Sequence, residues 1–289
     1  MKKIIKKIIF AILKTINFTL PRFISSYGYR IPINGTIGYY NTVKTEKWML
    51  DLLVKLYKNQ DYDFIDVGTN IGQTLMKVKS IDKNINYVGF EPNPLCCHYI
   101  NNLIKINKFD FTTIVPSALY KSNILLNFYS EDEDSTDATI LKDLRTNRDY
   151  IKNRFVPAFS FDEIYSVLNI GHKKTIIKID TEGSELEIIK GMHGFIEAKK
   201  PMILCEVLLS DDLSKSQFVH DRCDALKNLL DGLNYNIYQI CKSDNLDNVT
   251  ALKHVNFFNE GVWNPHTSPA LCDYIFIHKT IESDILELF

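Results

Sequence analysis

Residues 63–72, DFIDVGTNIG, run from an apolar stretch (Phe64, Ile65, Val67) through Asp66 and Gly68 into a polar turn, Thr69-Asn70, and then into a helical pattern beginning near Ile71. Strand, tight turn and helix in that order make the first unit of an open, mostly parallel sheet. In such sheets the ligand lies beyond the carboxyl ends of the strands, at the topological switch point. Gly68 and Gly72 let the backbone approach a ligand where a Cβ would not fit. Counting from Gly68, Asn70 and Gln73 stand where the dinucleotide pattern Gly-x-Gly-x-x-Gly has glycines, which argues against an NAD-type turn.

Composition narrows the function classes. An apolar fraction of 45% and a charged fraction of 24% are those of a folded globular chain. Six of the 34 basic residues (Lys2, Lys3, Lys6, Lys7, Lys14, Arg22) fall in the first 22 positions, with no acid among them. The remainder carries 28 basic against 35 acidic side chains, which does not suggest a nucleic-acid binder. Six cysteines without a C-x-x-C pair read as free, mostly buried thiols in a reducing cytoplasm.

The start of the chain, residues 1–22, has lysines followed by an apolar block, Ile8 to Leu13, far short of the roughly 20 residues a spanning helix needs. A secretory signal lacks its cleavage site here. A basic amphipathic helix on an anionic membrane face fits the lysines better, and a helix packed on the domain is the plain alternative. The expectation is a cytoplasmic protein with peripheral contact at the inner face of the membrane.

Ile31 to Tyr40 reads as a small hairpin. Thr45 to Tyr57, with Trp48, Met49, Leu52, Leu53 and Leu56 at helical spacing, reads as an amphipathic helix packed on the sheet. Asp61 to Val67 is the first central strand and Ile71 to Ser80 its helix. Asn86 to Phe90 is the second strand, capped by Glu91 in FEPNP. Glu91 stands 23 residues beyond Gly68, near the offset at which an acidic side chain meets a ribose. A carboxylate accepts from two vicinal hydroxyls at once. Its structural alternative is a cap on the helix that starts at Asn93-Pro94.

Leu95 to Asn107 continues as helix and Asp110 to Val115 as the third strand, followed by Ser117-Ala118-Leu119. Asn123 to Ser130 alternates like an extra strand, and Glu131 to Asp137 is an acidic loop. Arg145 to Arg154 is a polar crossing. Ser160 and Glu163 have capping-box spacing for a helix to about Leu168. The fourth strand, Thr175 to Ile179, is apolar on both sides of Lys178, as a strand covered on both faces should be. Pro201 to Val207 ends near Glu206 as the fifth strand. Phe218 to Leu230 is a helix, Asn234 to Ile240 the sixth strand, Ala251 to Phe258 a further one, and Leu271 to His278 the last.

The second informative stretch is KIDTEGSELEIIKG, Lys178 to Gly191. Lys178, Asp180, Glu182 and Glu185 crowd the carboxyl end of the fourth strand. Four ionisable groups in one turn cost electrostatic strain unless they are used, so the stretch is a candidate site. The plain alternative pairs Lys178 with Asp180 or Glu182 and leaves Glu185 in solvent.

With DVGTNIG at Asp66 to Gly72, FEP at Phe90 to Pro92 and the Lys178 to Gly191 block in this order, the sequence resembles the FkbM family of S-adenosylmethionine-dependent methyltransferases over about residues 40–210. Thr69 departs from the family's usual alanine. The resemblance implies an α/β fold of the class I S-adenosylmethionine methyltransferase type, with a Rossmann-like, mainly parallel seven-stranded sheet and helices on both faces. With the pattern along the chain, the expected division is a basic segment 1–22, a hairpin-and-helix extension 23–60 and the methyltransferase domain 61–289. The resemblance also implies O-methylation of a hydroxyl on a sugar, glycan or natural-product acceptor.

On that reading S-adenosylmethionine is held by Asp66, Gly68, Asn70 and Gly72 at its methionine end, by Glu91 at the ribose, and by Ser117 and Ala118 at the adenine. Asp180 is the expected base, with Glu182 and Lys178 orienting the acceptor. A divalent ion on Asp180 and Glu182 is the alternative use of those carboxylates. His193, His220 and His266 are alternative bases, with surface or packing roles as their plain reading, and Trp263 with His266 would either stack on an acceptor sugar or belong to a surface loop with a packed Trp. A catalytically inactive binding subunit of a membrane-associated glycan-assembly complex is the competing function, and the intact acidic rim argues against it.

Overall fold

In the computed structural model, residues 17–21, 27–35, 37–58, 60–130, 152–209, 216–259, 262–264 and 267–289 are described. Of the segment 1–22, Asn17–Leu20 forms strand β1, which pairs antiparallel with β2 (Ile31–Asn34). The hairpin expected over Ile31 to Tyr40 is therefore not formed. β2 takes its partner from upstream, and the chain turns at the Asn34–Ile37 bridge into a 3-10 turn at Tyr39–Thr42. Helix α1 (Lys47–Tyr57) buries the expected apolar stripe of Trp48, Met49, Leu52, Leu53 and Leu56.

The central units follow: β3 (Tyr62–Val67), α2 (Gln73–Ile81), β4 (Tyr87–Phe90), α3 (Pro94–Asn107) and β5 (Thr112–Val115). Asn93 caps α3, its side chain accepting from Leu95 N, with Pro94 at the first helical position. After β6 (Ala118–Leu119), β7 (Ile124–Ser130) and β8 (Lys152–Phe159) come α4 (Phe161–Ile164), β9 (Lys174–Ile179), α5 (Glu185–Gly191), α6 (His193–Lys199) and β10 (Met202–Glu206). The chain ends with α7 (Ser216–Gly232), β11 (Tyr235–Lys242), β12 (Val249–Val255), β13 (Asp273–His278) and α8 (Glu282–Leu286).

Eight strands form the main sheet in the order β12-β11-β13-β10-β9-β3-β4-β5. β5, β4, β3, β9 and β10 are mutually parallel, and β13 enters antiparallel. The expected mainly parallel sheet is present, with β12 added at one edge. The switch point lies at β3, which has β4 on one side and β9 on the other.

Period-two alternation distributes the core. Tyr62, Phe64 and Ile176 face a cluster with α1, α2 and α3. Ile65, Val67, Ile177 and Ile179 face a second cluster with α5, α6 and α7. A three-stranded sheet, β6-β8-β7, stands beside the main one. The capping box does not form. Ser160 Oγ donates to Gly191 O instead, and Glu163 accepts from Asn123, while the expected helical run to about Leu168 is present as α4 followed by a 3-10 turn at Tyr165–Val167. The acidic loop 131–137 and most of the Arg145 to Arg154 crossing lie outside the described residues.

One buried cation ties the amino ends of two strands. Lys79 is 1% exposed, and its Nζ donates to the main-chain oxygens of Lys83 (3.1 Å), Ile85 (2.7 Å), Asp110 (2.9 Å) and Phe111 (3.3 Å) just before β4 and β5. Lys79→Met leaves those carbonyls without their donor. It is expected to cost about 3 kcal/mol in urea denaturation, and an unchanged midpoint would contradict this role.

Candidate active site

The turn after β3 is fastened to β4 by the main chain. Gly68 N and Thr69 N both donate to Phe90 O, at 3.0 and 3.1 Å. Gly68 has φ +89°, and a Cβ there would meet Asp180 O at 2.0 Å. Glycine is thus what lets the tips of β3 and β9 close on each other. Thr69, in place of the resemblance's alanine, is accommodated by Gly89, where any Cβ would come within 2.5 Å of Thr69 Oγ1. Gly72 also has positive φ, but its absent Cβ points at Leu103 of α3. Its role here is in helix packing, and it does not line the cavity among the described residues.

Glu91 braces that turn from the end of β4. Its Oε2 accepts from Asn70 N at 2.7 Å and its Oε1 from Asn93 N at 2.8 Å. Burial raises its pKa to about 7, against the two backbone hydrogen bonds, which lower it. A raised carboxyl favours the folded state at low pH. Its contribution is complete below the unfolded value of 4.5 and is lost as pH rises through about 7. The ligand-free protein should therefore show, in urea melts between pH 4.5 and 8, a stability loss from this group of up to roughly 3 kcal/mol, which Glu91→Gln removes. Equal slopes for the two proteins would contradict the assignment.

The opposite wall is built where β9 ends. Asp66 and Lys178 are register partners across β3 and β9, so both point to the same face of the sheet. Asp66 is fully buried and accepts from Tyr87 Oη, with Lys178 Nζ 3.7 Å from its Oδ1. Burial raises the Asp66 carboxyl despite Lys178 and Tyr87. Lys178 Nζ also donates to Asp180 Oδ2 at 2.9 Å. Burial opposes the Lys178 charge, but Asp180, Asp66 and Glu46 outweigh it and raise its pKa. Lys178 is thus a buried bridge between the two carboxylates. Removing one partner of such a bridge costs far more than the bridge contributes.

For Asp180, burial raises the pKa, but Lys178 and a hydrogen bond with Glu206 outweigh it and hold the group below the ordinary carboxylate value. Beyond it, Glu182 and Gly183 both turn through positive φ, and Glu185 folds back to accept from Gly183 N at 2.8 Å. Burial pushes Glu185 up to about 7. The block's last glycine, Gly191, is a packing residue, since a Cβ there would meet Tyr120 O at 2.0 Å.

These two walls enclose a cavity of about 510 Å³ at the switch point, a size suited to a small-molecule ligand. Gly68, Asn70, Glu91, Ala118, Lys178, Asp180 and Glu182 line it together. Asp66 is fully buried beside Lys178, and Ser117, next to Ala118 in the chain, is buried with its amide bonded to Val115 O. Neither lines the cavity among the described residues. His193 opens α6 and His220 pairs with Asp224 at 3.4 Å on α7. Neither these histidines nor Trp263 lines the cavity, and His266 is outside the described residues.

Two lining carboxyls escaped the sequence reading. Glu46, just before α1, accepts from the fully buried Lys77 at 2.8 Å. Burial raises its pKa, and Lys77 and Lys178 outweigh that and lower it. Glu206 ends β10 beside Asp180. Among the described residues no group of three or more His, Cys, Asp or Glu side chains is arranged to hold a metal ion. A cation on Asp180 and Glu182 would compete with the Lys178 ammonium, which already occupies Asp180 Oδ2.

No curated protein matches the sequence. Among solved structures, the chain is similar to the methyltransferase FkbM from Methylobacillus flagellatus KT, with 16% identity and a TM-score of 0.44 over 75% of this chain. The chain spans 44% of that protein's length. It is also similar to the O-methyltransferase from Bacillus cereus in complex with SAH, at 10% identity and a TM-score of 0.42 over 84% of each chain. The spermidine synthase from Thermotoga maritima is 12% identical, with a TM-score of 0.39 over 94% of this chain and 75% of that one. The model of the methyltransferase FkbM domain matches residues 66–236, more than half of the chain, and the protein belongs to that family.

Proposed function

We propose that the chain is an S-adenosylmethionine-dependent O-methyltransferase acting on a hydroxyl of a sugar or glycan acceptor. The observation that carries this reading is a single cavity lined on one side by the Gly68–Asn70 turn with Glu91 and on the other by Lys178 and Asp180. When bound, S-adenosylmethionine supplies a methyl group on a sulfonium. Glu91, oriented by the Asn70 and Asn93 amides, accepts from the ribose hydroxyls with its remaining lone pairs. Gly68 and Asn70 hold the methionine end, Gly72 shapes that turn, and Ala118, backed by Ser117, lies against the base. Asp66 acts from beneath, by fixing Lys178.

Methyl transfer is an in-line displacement, so positioning supplies most of the catalysis. Asp180 accepts the acceptor's hydroxyl proton. A carboxylate of low pKa suffices because that hydroxyl becomes strongly acidic as its oxygen bonds the methyl carbon. Glu182 and Lys178 orient the acceptor. Among the described residues the cavity wall carries Glu46, Glu91, Asp180, Glu182 and Glu206 against one lysine, Lys178. That charge balance supports a neutral, hydroxyl-bearing acceptor over a phosphorylated or acidic one.

Labelled methyl transfer to glucose, galactose, mannose and rhamnose, and to their phosphates and uronic acids, tests the reading. Transfer to neutral sugars is expected, and transfer confined to the anionic ones would overturn the acceptor assignment. Donor binding without transfer to any hydroxyl would favour an inactive binding subunit.

Among the described residues no helix is long and apolar enough to cross a membrane. We also propose that the lysines of residues 1–16 bring the protein to an anionic membrane face from the cytoplasmic side. Equal sedimentation with anionic vesicles of the full chain and of a chain starting at Asn17, which keeps β1, would remove this proposal.

A further inference from the structure

Glu206 lines the cavity, yet neither the donor nor the acceptor reading above uses it. In the parallel pairing of β9 with β10, Leu204 lies beside Lys178 and Cys205 beside Ile179, so the next residues, Glu206 and Asp180, stand side by side at the strand tips. Each acts on the other, Glu206 holding Asp180 down and Asp180 pushing Glu206 up, as a proton shared from one carboxyl to the other would. A hydrogen bond between two carboxyls requires a proton on one of them, since neither oxygen pair donates when both are ionised.

The surroundings put that proton on Glu206. Asp180 has the Lys178 ammonium on its Oδ2, with Lys77 and Asp66 further along the same face. Glu206 faces Asp180, Asp273 and Glu182. Asp273, its register partner on β13, already pairs with Lys242. Burial and these three acidic neighbours raise Glu206 well above the usual carboxyl value.

We infer that Glu206 is a positioning residue: its carboxylic acid donates to Asp180 and, with Lys178 on the other side, fixes the Asp180 carboxylate against the cavity where an acceptor hydroxyl meets it. The inference rests on Asp180 being the proton acceptor of the proposed methyl transfer. Held by two donors, Asp180 keeps lone pairs for the cavity that it lines, and its orientation follows from the strand order that sets Glu206 and Lys178 beside it.

The test compares wild type, Glu206→Gln and Glu206→Leu as full chains. Infrared difference spectra at pH 7.5 report the carboxylic C=O stretch directly, whether or not an acceptor is known. Beside the carboxyl absorption of Glu91 and Glu185, which burial also raises, one protonated-carboxyl component is expected in wild type that Glu206→Gln loses, and a carboxyl spectrum unchanged by Glu206→Gln overturns the inference. With the best neutral sugar of the panel above, Glu206→Leu should lose about 10²-fold in kcat with the Kd for S-adenosylmethionine unchanged. Glu206→Gln, whose amide still donates, should keep a kcat well above that of Glu206→Leu. Equal kcat for the two variants, or a loss expressed only as weaker donor binding, overturns it. Absence of transfer by wild type would count against the proposed function itself, while the infrared result still decides where the proton resides.

Discussion

Asp180→Asn should lower kcat by about 10²–10⁴-fold while changing the Kd for S-adenosylmethionine little. Asparagine keeps an oxygen that accepts from Lys178, and Lys178 keeps its second partner, Asp66, so the wall should remain in place. What is lost is the capacity to take a proton from the acceptor hydroxyl. Steady-state kinetics with the labelled donor, beside calorimetric titration of the donor alone, separates the two effects. Turnover at the wild-type rate would discard Asp180 as the base.

Gly68→Ala is the second large effect. A methyl group at this position would sit 2.0 Å from Asp180 O, and the φ of +89° is one that L side chains rarely adopt. The tips of β3 and β9 would have to part, at an expected cost of about 3 kcal/mol or more from steric overlap and backbone strain together. Donor binding should fall with it, because the same turn holds Asn70 against Glu91. Gly72→Ala provides the contrast. Its Cβ would meet only the end of Leu103, at 3.2 Å, so the cost should be about 1–2 kcal/mol with donor binding largely kept. Thermal or urea denaturation and donor calorimetry on both variants check the ranking. Equal losses would mean that the β3–β9 contact is not what glycine protects.

The main sheet was legible because its signals are local. An apolar run closed by a carboxylate and glycine, and a helix stripe such as that from Trp48 to Leu56, are each decided within a dozen residues. That Glu91 stands at the cavity beside the Gly68–Asn70 turn was legible from its offset and the glycine turn upstream. What failed needed partners distant in sequence. The hairpin at Ile31 to Tyr40 is reduced to the Asn34–Ile37 bridge, and β2 pairs with β1 from upstream instead. The capping box at Ser160 was displaced because Gly191 O lies within reach of the hydroxyl.

Lys178 read as a rim group because its alternation partner is known only once β3 and β9 are seen as neighbours. Register then places it opposite Asp66, and the buried charge in an apolar strand gains its reason. Glu46 and Glu206 were invisible as site residues for the same cause. One arrives from a helix start ahead of the sheet and the other from a neighbouring strand. Neither carries a motif that points to Asp180.

Calorimetric titration of S-adenosylmethionine into wild type and Glu91→Ala addresses the central claim most directly, since it asks whether the cavity at the β3–β4 tips is the donor site. One binding event per chain is expected, competed by S-adenosylhomocysteine, absent with NAD, and weakened at least about tenfold in Glu91→Ala, equivalent to the loss of a charged hydrogen bond. Binding of S-adenosylmethionine that Glu91→Ala leaves unchanged, or no binding by the wild-type protein, would contradict the account.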